Sequence, residues 1–363
     1  MLRVFDFVAD PDLEAALRDA AARVLASHWY ILGEEVSAFE GEFARFCGTR
    51  HCVGVGNGTD ALELALRATG VDRGDRVAVV ANAGYYASTA LAAIGAEPVF
   101  VDVDETLTMS PASLKASIQG VDAVVVTHLY GRLAAIEPIV ALANDYGIAV
   151  IEDCAQAHGA ARNARRAGSF ATAGCFSFYP TKNLGALGDA GAVVTSDDEV
   201  SERLRALRQY GWSTKYRVEH PGGRNTRLDE LQAAFLRVKL PRLAAWNAAR
   251  VSIARHYHRG FAGLGITLPD FSGDECVAHL FVIRVQHREA LRARLREAGI
   301  GTDVHYPIAD HRQPVRVLDH LELPMTEAAC REVVSLPCYP GLSLTHVDRV
   351  VDLVRSFCEG AQA

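Results

Sequence analysis

The sequence lacks the features that mark membrane, disulfide-stabilised and nucleic-acid-binding proteins. It contains no long uncharged apolar run, and acidic residues and Pro11 stand where a secretion signal needs one. Its eight cysteines are scattered without a Cys-x-x-Cys pair, which disfavours a zinc site or a disulfide framework. The net charge of -7 provides no general attraction for nucleic acid or anionic membrane. We therefore expect a cytoplasmic protein with reduced thiols, no metal, and neither nucleic acid nor membrane as a partner.

The sequence does contain enough apolar residues for a large core, together with a regular alternation of elements. Half of the 363 residues are apolar and 22% are charged, which suits a chain of two to three folded units. Strands are predicted at residues 52–55, 76–80, 98–101, 123–127, 148–152, 175–178 and 192–195. Helices are predicted between them at residues 59–69, 88–94, 111–118 and 136–146. This alternation predicts an α/β fold with a mostly parallel sheet between helices.

The pattern changes near Pro241, where a long helix begins and the regular alternation ends. A strand at residues 279–285, a helix at residues 288–298 and two late helices follow. We therefore predict a large domain over residues 1–240, with a helical segment at its start, and a smaller α+β domain over residues 241–363.

The stretch 174–191 places one lysine in an apolar and glycine-rich setting. Lys182 follows a predicted strand and Pro180, and small residues fill most positions behind it. Glycines let a backbone turn sharply and approach a bound group closely. Desolvation disfavours an ammonium ion, so a lysine in such a setting is easily deprotonated and can form an imine with an aldehyde cofactor. The alternative is a solvated lysine in a surface loop.

Other candidate residues follow predicted strands, where ligands bind on open α/β sheets. The glycine-rich stretch 54–60 opens a helix whose N–H groups can hold a phosphate, although it can also be a capped tight turn. Asp153 ends a strand and can pair with a protonated ring nitrogen, or cap the next turn. Ser177 can reach the same phosphate, and Tyr85 and Tyr86 can offer an aromatic face. Jointly with the lysine, these features describe a pyridoxal-phosphate site.

These segments together resemble the DegT/DnrJ/EryC1/StrS sugar aminotransferases, a family of fold-type I pyridoxal-phosphate enzymes. The resemblance runs along nearly the whole chain, and its most specific parts are the stretches 56–62, 152–156 and 176–185. It implies an aspartate-aminotransferase-like fold with a large cofactor-binding domain and a smaller C-terminal domain.

The resemblance implies roles for the residues around the cofactor ring. Lys182 would form the imine with pyridoxal 5'-phosphate and move protons, and Asp153 would pair with the pyridine nitrogen. Gln156 would contact the ring hydroxyl, and Tyr86 would stack on the ring. Tyr85 stands where relatives carry a threonine, so it is a candidate for substrate contact instead.

The resemblance also implies how the phosphate is held and how the chain assembles. Gly58, Thr59 and Ser177 would hold the phosphate within one chain. Asn225 would reach the phosphate of the neighbouring subunit's cofactor, so the enzyme would be a homodimer that shares its active sites.

The run after Lys182 resembles the subgroup that aminates C3 of a nucleotide-linked keto sugar. The expected reaction moves an amino group from glutamate to a dTDP-linked 3-keto-6-deoxyhexose. Amination at C4, or of a UDP-linked 3-keto sugar, is the alternative, and both a surface polysaccharide and a secreted metabolite are possible destinations. The residues expected at the substrate are Tyr85, His128, Lys215, Arg217, Arg227 and His305.

Overall fold

The computed structural model describes residues 1–7, 10–271 and 273–362, and its first half follows the predicted alternation. The helices there are α1 (Pro11–Ser27), α2 (Glu34–Cys47), α3 (Gly58–Ala68), α4 (Tyr86–Ile94), α5 (Pro111–Ser117) and α6 (Ile136–Asp145). The strands are β1 (His51–Val55), β2 (Arg76–Val80), β3 (Glu97–Val101), β4 (Ala123–Thr127) and β5 (Ala149–Asp153).

The second half contains more short strands than the sequence pattern predicts. Its strands are β6 (Ala161–Arg162), β7 (Arg165–Arg166), β8 (Ala173–Ser177), β9 (Gly191–Thr195), β10 (Trp212–Thr214), β11 (Arg217–Val218), β12 (Phe281–Arg284) and β13 (Val333–Leu336). Its helices are α7 (Asp198–Leu207), α8 (Glu230–Lys239), α9 (Leu243–Gly260), α10 (Arg288–Glu297), α11 (Pro324–Glu332) and α12 (Leu344–Gln362). Among the described residues, no helix combines the length and the apolar character needed to cross a membrane.

The main sheet has seven strands in the order β1-β9-β8-β5-β4-β2-β3. Strand β9 runs antiparallel to both of its neighbours, and the other pairings are parallel. The α/β class with a mostly parallel sheet is therefore confirmed. Because β4, β5 and β8 are adjacent and parallel, their carboxyl ends bring Thr127, Asp153 and Ser177 to one edge of the sheet.

Both faces of this sheet are covered by helices. Val124 and Val126 of β4 pack in a core with Phe39 and Phe43 of α2, whereas Val125 faces a second core formed with α3, α4 and α7. Successive side chains of a strand point to opposite faces, so these nearly continuous valine runs suit a sheet that is buried on both sides.

A third core lies in the C-terminal part of the chain. It joins α9, α10 and α12 to the antiparallel pair β12–β13. The chain start also packs here, since the N–H of Leu2 donates to the carbonyl of Gly299 at 2.8 Å and the carbonyl of Leu2 accepts from Gly301 at 2.7 Å. The predicted division at residue 240 stays a prediction, and the first residues form backbone hydrogen bonds with the C-terminal part.

Candidate active site

A cavity of about 640 Å³ lies at the carboxyl edge of the sheet. The ends of β4, β5 and β8, the starts of α3 and α4, and a loop from the C-terminal part form its wall. The cavity brings together eight of the residues predicted from the sequence: Gly58, Thr59, Tyr86, Asp153, Gln156, Ser177, Lys182 and His305.

The start of α3 forms a cradle of the size and polarity that a phosphate requires. Asn57 caps the helix, and its side-chain oxygen accepts the N–H of Asp60 at 2.8 Å. A Cβ atom on Gly58 would lie 2.6 Å from the Cβ of Ser177, so this close approach requires glycine. The first N–H groups of a helix lack partners within the helix and carry the positive end of its dipole. Gly58, Thr59 and Ser177 thus fit a phosphate group.

Asp153 is the last residue of β5 and is 6% exposed at the cavity wall. Its carboxylate accepts the N–H of Ala155 at 3.1 Å and the hydroxyl of Thr127 at 3.4 Å. Burial raises its pKa, while the Ala155 N–H and the charge of Lys182 act in the opposite direction. A buried carboxylate with so few partners is well suited to a cationic ring nitrogen.

Lys182 lies on the tight turn that follows β8. Its N–H donates to the carbonyl of Tyr179 at 2.8 Å, and a Cβ on Gly185 would lie 2.3 Å from the carbonyl oxygen of Pro180. Burial lowers the pKa of Lys182 to about 8, against the opposing effect of Asp153. A substantial share of this amine is therefore neutral near physiological pH, as attack on an aldehyde requires.

Gln156 is held in the cavity by two hydrogen bonds. Its carbonyl oxygen accepts the N–H of Tyr130 at 2.6 Å, and its amide nitrogen donates to the hydroxyl of Tyr306 at 3.2 Å. The ring of Tyr306 also meets Tyr86 edge to face, with centroids 6.0 Å apart. Tyr306 lines the cavity and was missed by the sequence analysis; the only signal was its place between His305 and Pro307.

His305 lines the cavity on the same loop as Tyr306. Its Nδ1 lies 2.8 Å from the hydroxyl of Ser335. Burial lowers the pKa of His305, partly offset by Asp303. The cavity wall further includes Asp189, which lies in the run after Lys182, and His279 and Phe5, for which the sequence pattern offers no local signal.

His128 does not reach the cavity, which corrects the predicted substrate contact. The side chain is fully buried. Its Nδ1 accepts the N–H of Ala134 at 3.1 Å, so its Nε2 carries the proton and donates to Glu152 at 3.0 Å. Both ring nitrogens are used beneath the sheet edge, and neither is available to a ligand.

Glu152 and Asp153 are adjacent on β5 but have different environments. Glu152 is fully buried, and its two carboxylate oxygens also accept the N–H groups of Gly168, Phe170 and Ala171 at 2.7–2.9 Å. Glu152 thus fixes the segment that leads to β8, while Asp153 faces the cavity. His128, Glu152 and Cys154 do place three possible metal ligands within 4.8 Å, yet protein hydrogen bonds already occupy the first two.

The remaining predicted residues lie outside the cavity of their own chain. Tyr85 precedes α4 in a left-handed conformation and does not line the cavity. Asn225 is exposed, and its backbone pairs with Gln209.

The predicted cations also lie outside the cavity and are held by local contacts. The ammonium group of Lys215 lies 5.1 Å from the ring centre of Tyr216, and Arg217 pairs with Glu219 at 2.7 Å. The guanidinium of Arg227 lies 5.9 Å from the ring centre of Tyr210.

A lysine of lowered pKa, a buried carboxylate within its electrostatic reach and a helix-terminal phosphate cradle define a pyridoxal-phosphate enzyme. The family model of the DegT/DnrJ/EryC1/StrS aminotransferase family matches residues 11–355. The chain therefore belongs to this family and is a pyridoxal-phosphate-dependent aminotransferase of fold type I.

Individual relatives match over almost their whole length. The dTDP-3-amino-3,6-dideoxy-alpha-D-galactopyranose transaminase of Aneurinibacillus thermoaerophilus is 46% identical, over 94% of this chain and 95% of the relative. The dTDP-3-amino-3,4,6-trideoxy-alpha-D-glucose transaminase of Streptomyces venezuelae is 44% identical, over 96% of this chain and 93% of the relative. The solved structure of S. venezuelae DesV in complex with a ketimine intermediate superposes with a TM-score of 0.91 at 44% identity, covering 96% of this chain and 95% of that one.

Proposed function

We propose that this enzyme transfers the amino group of L-glutamate to C3 of a dTDP-linked 3-keto-6-deoxyhexose. The product is then a dTDP-3-amino-3,6-dideoxyhexose. The observation that carries this proposal is the joint presence of Lys182 and Asp153 in one cavity of a chain that is 44–46% identical to two dTDP-3-amino-sugar transaminases.

Pyridoxal phosphate, when bound, supplies an electron sink that stabilises negative charge on the carbon next to the amine. The protein supplies the proton transfer. With a pKa of about 8, Nζ of Lys182 can take the proton from the donor's amine-bearing carbon and later give one to C3 of the sugar. In the complete reaction a C–N bond of glutamate breaks and a C–N bond at C3 forms, so no further oxidant or reductant is required.

The other cavity residues orient the cofactor. Asp153 would hold the ring nitrogen in its protonated form, because a close buried anion raises the pKa of a pyridine. Gln156, which is fixed by Tyr130 and Tyr306, would present its amide to the ring hydroxyl. Tyr86 would supply an aromatic face to the ring.

The nucleotide sugar carries a diphosphate, which favours binding by cations. Lys215, Arg217 and Arg227 offer such cations on the segment that also carries Asn225. All four lie outside their own chain's cavity, so we propose that they serve the cavity of a second copy. His305, which lines the cavity, is the proposed sugar contact within one chain.

A homodimer is also supported by exposed apolar side chains. Trp29 and Tyr30 are 62% and 51% exposed, and Leu187 is 52% exposed. Large apolar side chains that are exposed in one chain are candidates for contact with a second copy. Each of the eight cysteines is buried and free of a disulfide bond, which supports a reducing compartment and hence the cytoplasm.

The test combines purified holoenzyme and glutamate with dTDP-3-keto-6-deoxyhexose, dTDP-4-keto-6-deoxyhexose and a UDP-linked 3-keto sugar in parallel. We expect the first to be aminated most efficiently, with the new amine located at C3 by NMR. An amine at C4 would overturn the regiochemistry, and a higher kcat/KM for the UDP-linked sugar would overturn the nucleotide assignment. Failure of the glutamate half-reaction with retained cofactor would overturn the amino donor.

A further inference from the structure

The start of α4 lacks a cap of its own. Its N-cap residue, Tyr85, has a φ of 71° and makes no side-chain capping hydrogen bond. Helices usually begin at Ser, Thr, Asp or Asn, whose side-chain oxygen accepts a first-turn N–H. An uncapped start would be poorly fixed, yet α4 begins with Tyr86, which lines the cofactor cavity.

Asp310, 225 residues further along the chain than Tyr85, ties this helix start to another part of the molecule instead. One carboxylate oxygen accepts the N–H of Tyr85 at 3.0 Å. The other accepts the hydroxyl of Ser88, in the first turn of α4, at 2.7 Å. The N–H of Asp310 donates in turn to the carbonyl of Ala81 at 2.8 Å. Asp310 thus bonds on both sides of the turn that leads into the helix.

The environment of Asp310 makes these hydrogen bonds strong. The residue is 1% exposed and Ser88 is 3% exposed, so water does not compete for either. Burial raises the pKa of Asp310 to about 6, which leaves the carboxylate ionised at neutral pH. Hydrogen bonds to an ionised acceptor are stronger than those between neutral groups.

The loop that carries Asp310 also contacts Tyr86, the aromatic residue proposed to cover the cofactor ring. Tyr306 meets the ring of Tyr86 edge to face, and a Cβ on Gly84 would lie only 2.8 Å from the Tyr306 ring. The loop 306–310 therefore contacts the segment 84–88 in two ways. The ring of Tyr306 packs on Gly84 and Tyr86, and the carboxylate of Asp310 accepts hydrogen bonds from Tyr85 and Ser88.

We propose that Asp310 is a positioning residue that anchors the start of α4 to the C-terminal part of the chain, through Tyr85 and Ser88, and thereby holds Tyr86 against the cofactor ring. This inference rests on the proposed contact between Tyr86 and the cofactor. Asp310 does not touch the reacting atoms and acts through Tyr86.

The test measures the Kd of pyridoxal phosphate by equilibrium dialysis of the holoenzyme, for Asp310→Ala, Tyr86→Ala and the double variant. We expect each single substitution to raise the Kd about tenfold and the double variant to be no worse than Tyr86→Ala, because residues that act through one contact are not additive. Asp310→Asn, which retains an acceptor for the Tyr85 N–H, should bind the cofactor within about threefold of the wild type. Asp319→Ala, whose side chain is 92% exposed, is the control and should change nothing.

The outcomes separate this inference from the proposed function. If Asp310→Ala lowers Tm but leaves the Kd unchanged, or if the two substitutions are additive, the positioning role is wrong. If Tyr86→Ala leaves the Kd unchanged, the contact on which the inference rests is absent and the inference fails with it. Amine transfer by the wild-type enzyme tests the proposed function independently of every one of these Kd values.

Discussion

The catalytic cavity and the exposed segment 212–227 are built on opposite principles. In the cavity, Lys182 and Asp153 have pKa values shifted by burial, and packed backbone fixes their positions. In the segment, Lys215 and Arg217 are exposed, and their charged groups contact the neighbouring Tyr216 and Glu219. The cavity therefore gathers the proposed catalytic groups within one chain, whereas the cations of the segment lie outside that cavity. Substitutions in the two regions should accordingly fail in different ways.

The largest effect is expected from Lys182→Ala, which removes the group proposed to form the imine with the cofactor and to move the proton. Amine transfer should fall at least about a thousandfold, and the visible absorbance of the bound cofactor should change. Steady-state kinetics and absorbance spectra provide the measurement. Lys115→Ala, on the exposed face of α5, is the control and should retain wild-type kinetics. Retention of wild-type kinetics by Lys182→Ala would contradict the proposed role of Lys182.

Asp153→Asn and Glu152→Gln should separate chemistry from stability on adjacent residues. The first should lower kcat about a hundredfold because the ring nitrogen loses its anion, while Tm changes little or rises, since the buried charge is itself costly. The second should lower Tm more than it lowers kcat, because Glu152 accepts hydrogen bonds from His128 and three backbone N–H groups. Thermal melts and steady-state kinetics of both variants check this. A larger loss of kcat in Glu152→Gln and a larger loss of Tm in Asp153→Asn would contradict the two assigned roles.

Asn225→Ala should weaken cofactor retention about tenfold if Asn225 reaches the neighbouring subunit's phosphate. Mixed dimers of Lys182→Ala and Asn225→Ala chains provide a sharper measurement. In such a dimer one site contains both Lys182 and a partner's intact Asn225, so its cofactor Kd should equal that of the wild type. A mixed dimer that retains the weakened Kd of Asn225→Ala would place Asn225 in its own chain's site or in none.

The smallest effect is expected from Arg217→Ala, because exposed charges contribute little individually. The KM for the nucleotide sugar should rise about threefold, and the glutamate half-reaction should be unchanged. Single-turnover kinetics with each substrate separates the two. Arg18→Ala, an 82% exposed cation on α1, is the matched control, and an equal change in both variants would remove the diphosphate role from Arg217.

Strand-length apolar runs are visible in the chain, so the sequence predicted the sheet. Asp153 and Ser177, the last residues of β5 and β8, were predicted to lie at one site and do line one cavity, while their roles toward the cofactor stay a prediction. Which strands lie side by side cannot be seen from the spacing within one segment, so only the structure shows that β5 lies beside β8. The short pairs β6–β7 and β10–β11 were not predicted, since two or three residues are too few to show a period.

The wrong prediction for His128 and the omission of Tyr306 and Asp310 have different physical causes. The direction in which a side chain points at the end of a strand decides whether it enters the cavity or is buried beneath the cavity. The side chain of His128 is buried beneath the cavity, where it contacts Glu152. Tyr306 and Asp310 bear on residues more than 200 positions away in the sequence. A pattern within one segment carries no information on contacts between distant segments, so these two residues were found only in the folded structure.

Reduction of the holoenzyme with borohydride, followed by peptide mapping, tests the central claim most directly, because it fixes the cofactor to the lysine that binds it. The chain has lysines at 115, 182, 215 and 239, and Lys239 is the critical comparison since burial also lowers its pKa to about 8. We expect the cofactor mass on the peptide that contains Lys182 and on no other. The mass on the Lys239 peptide, or on none of the four, would contradict the account.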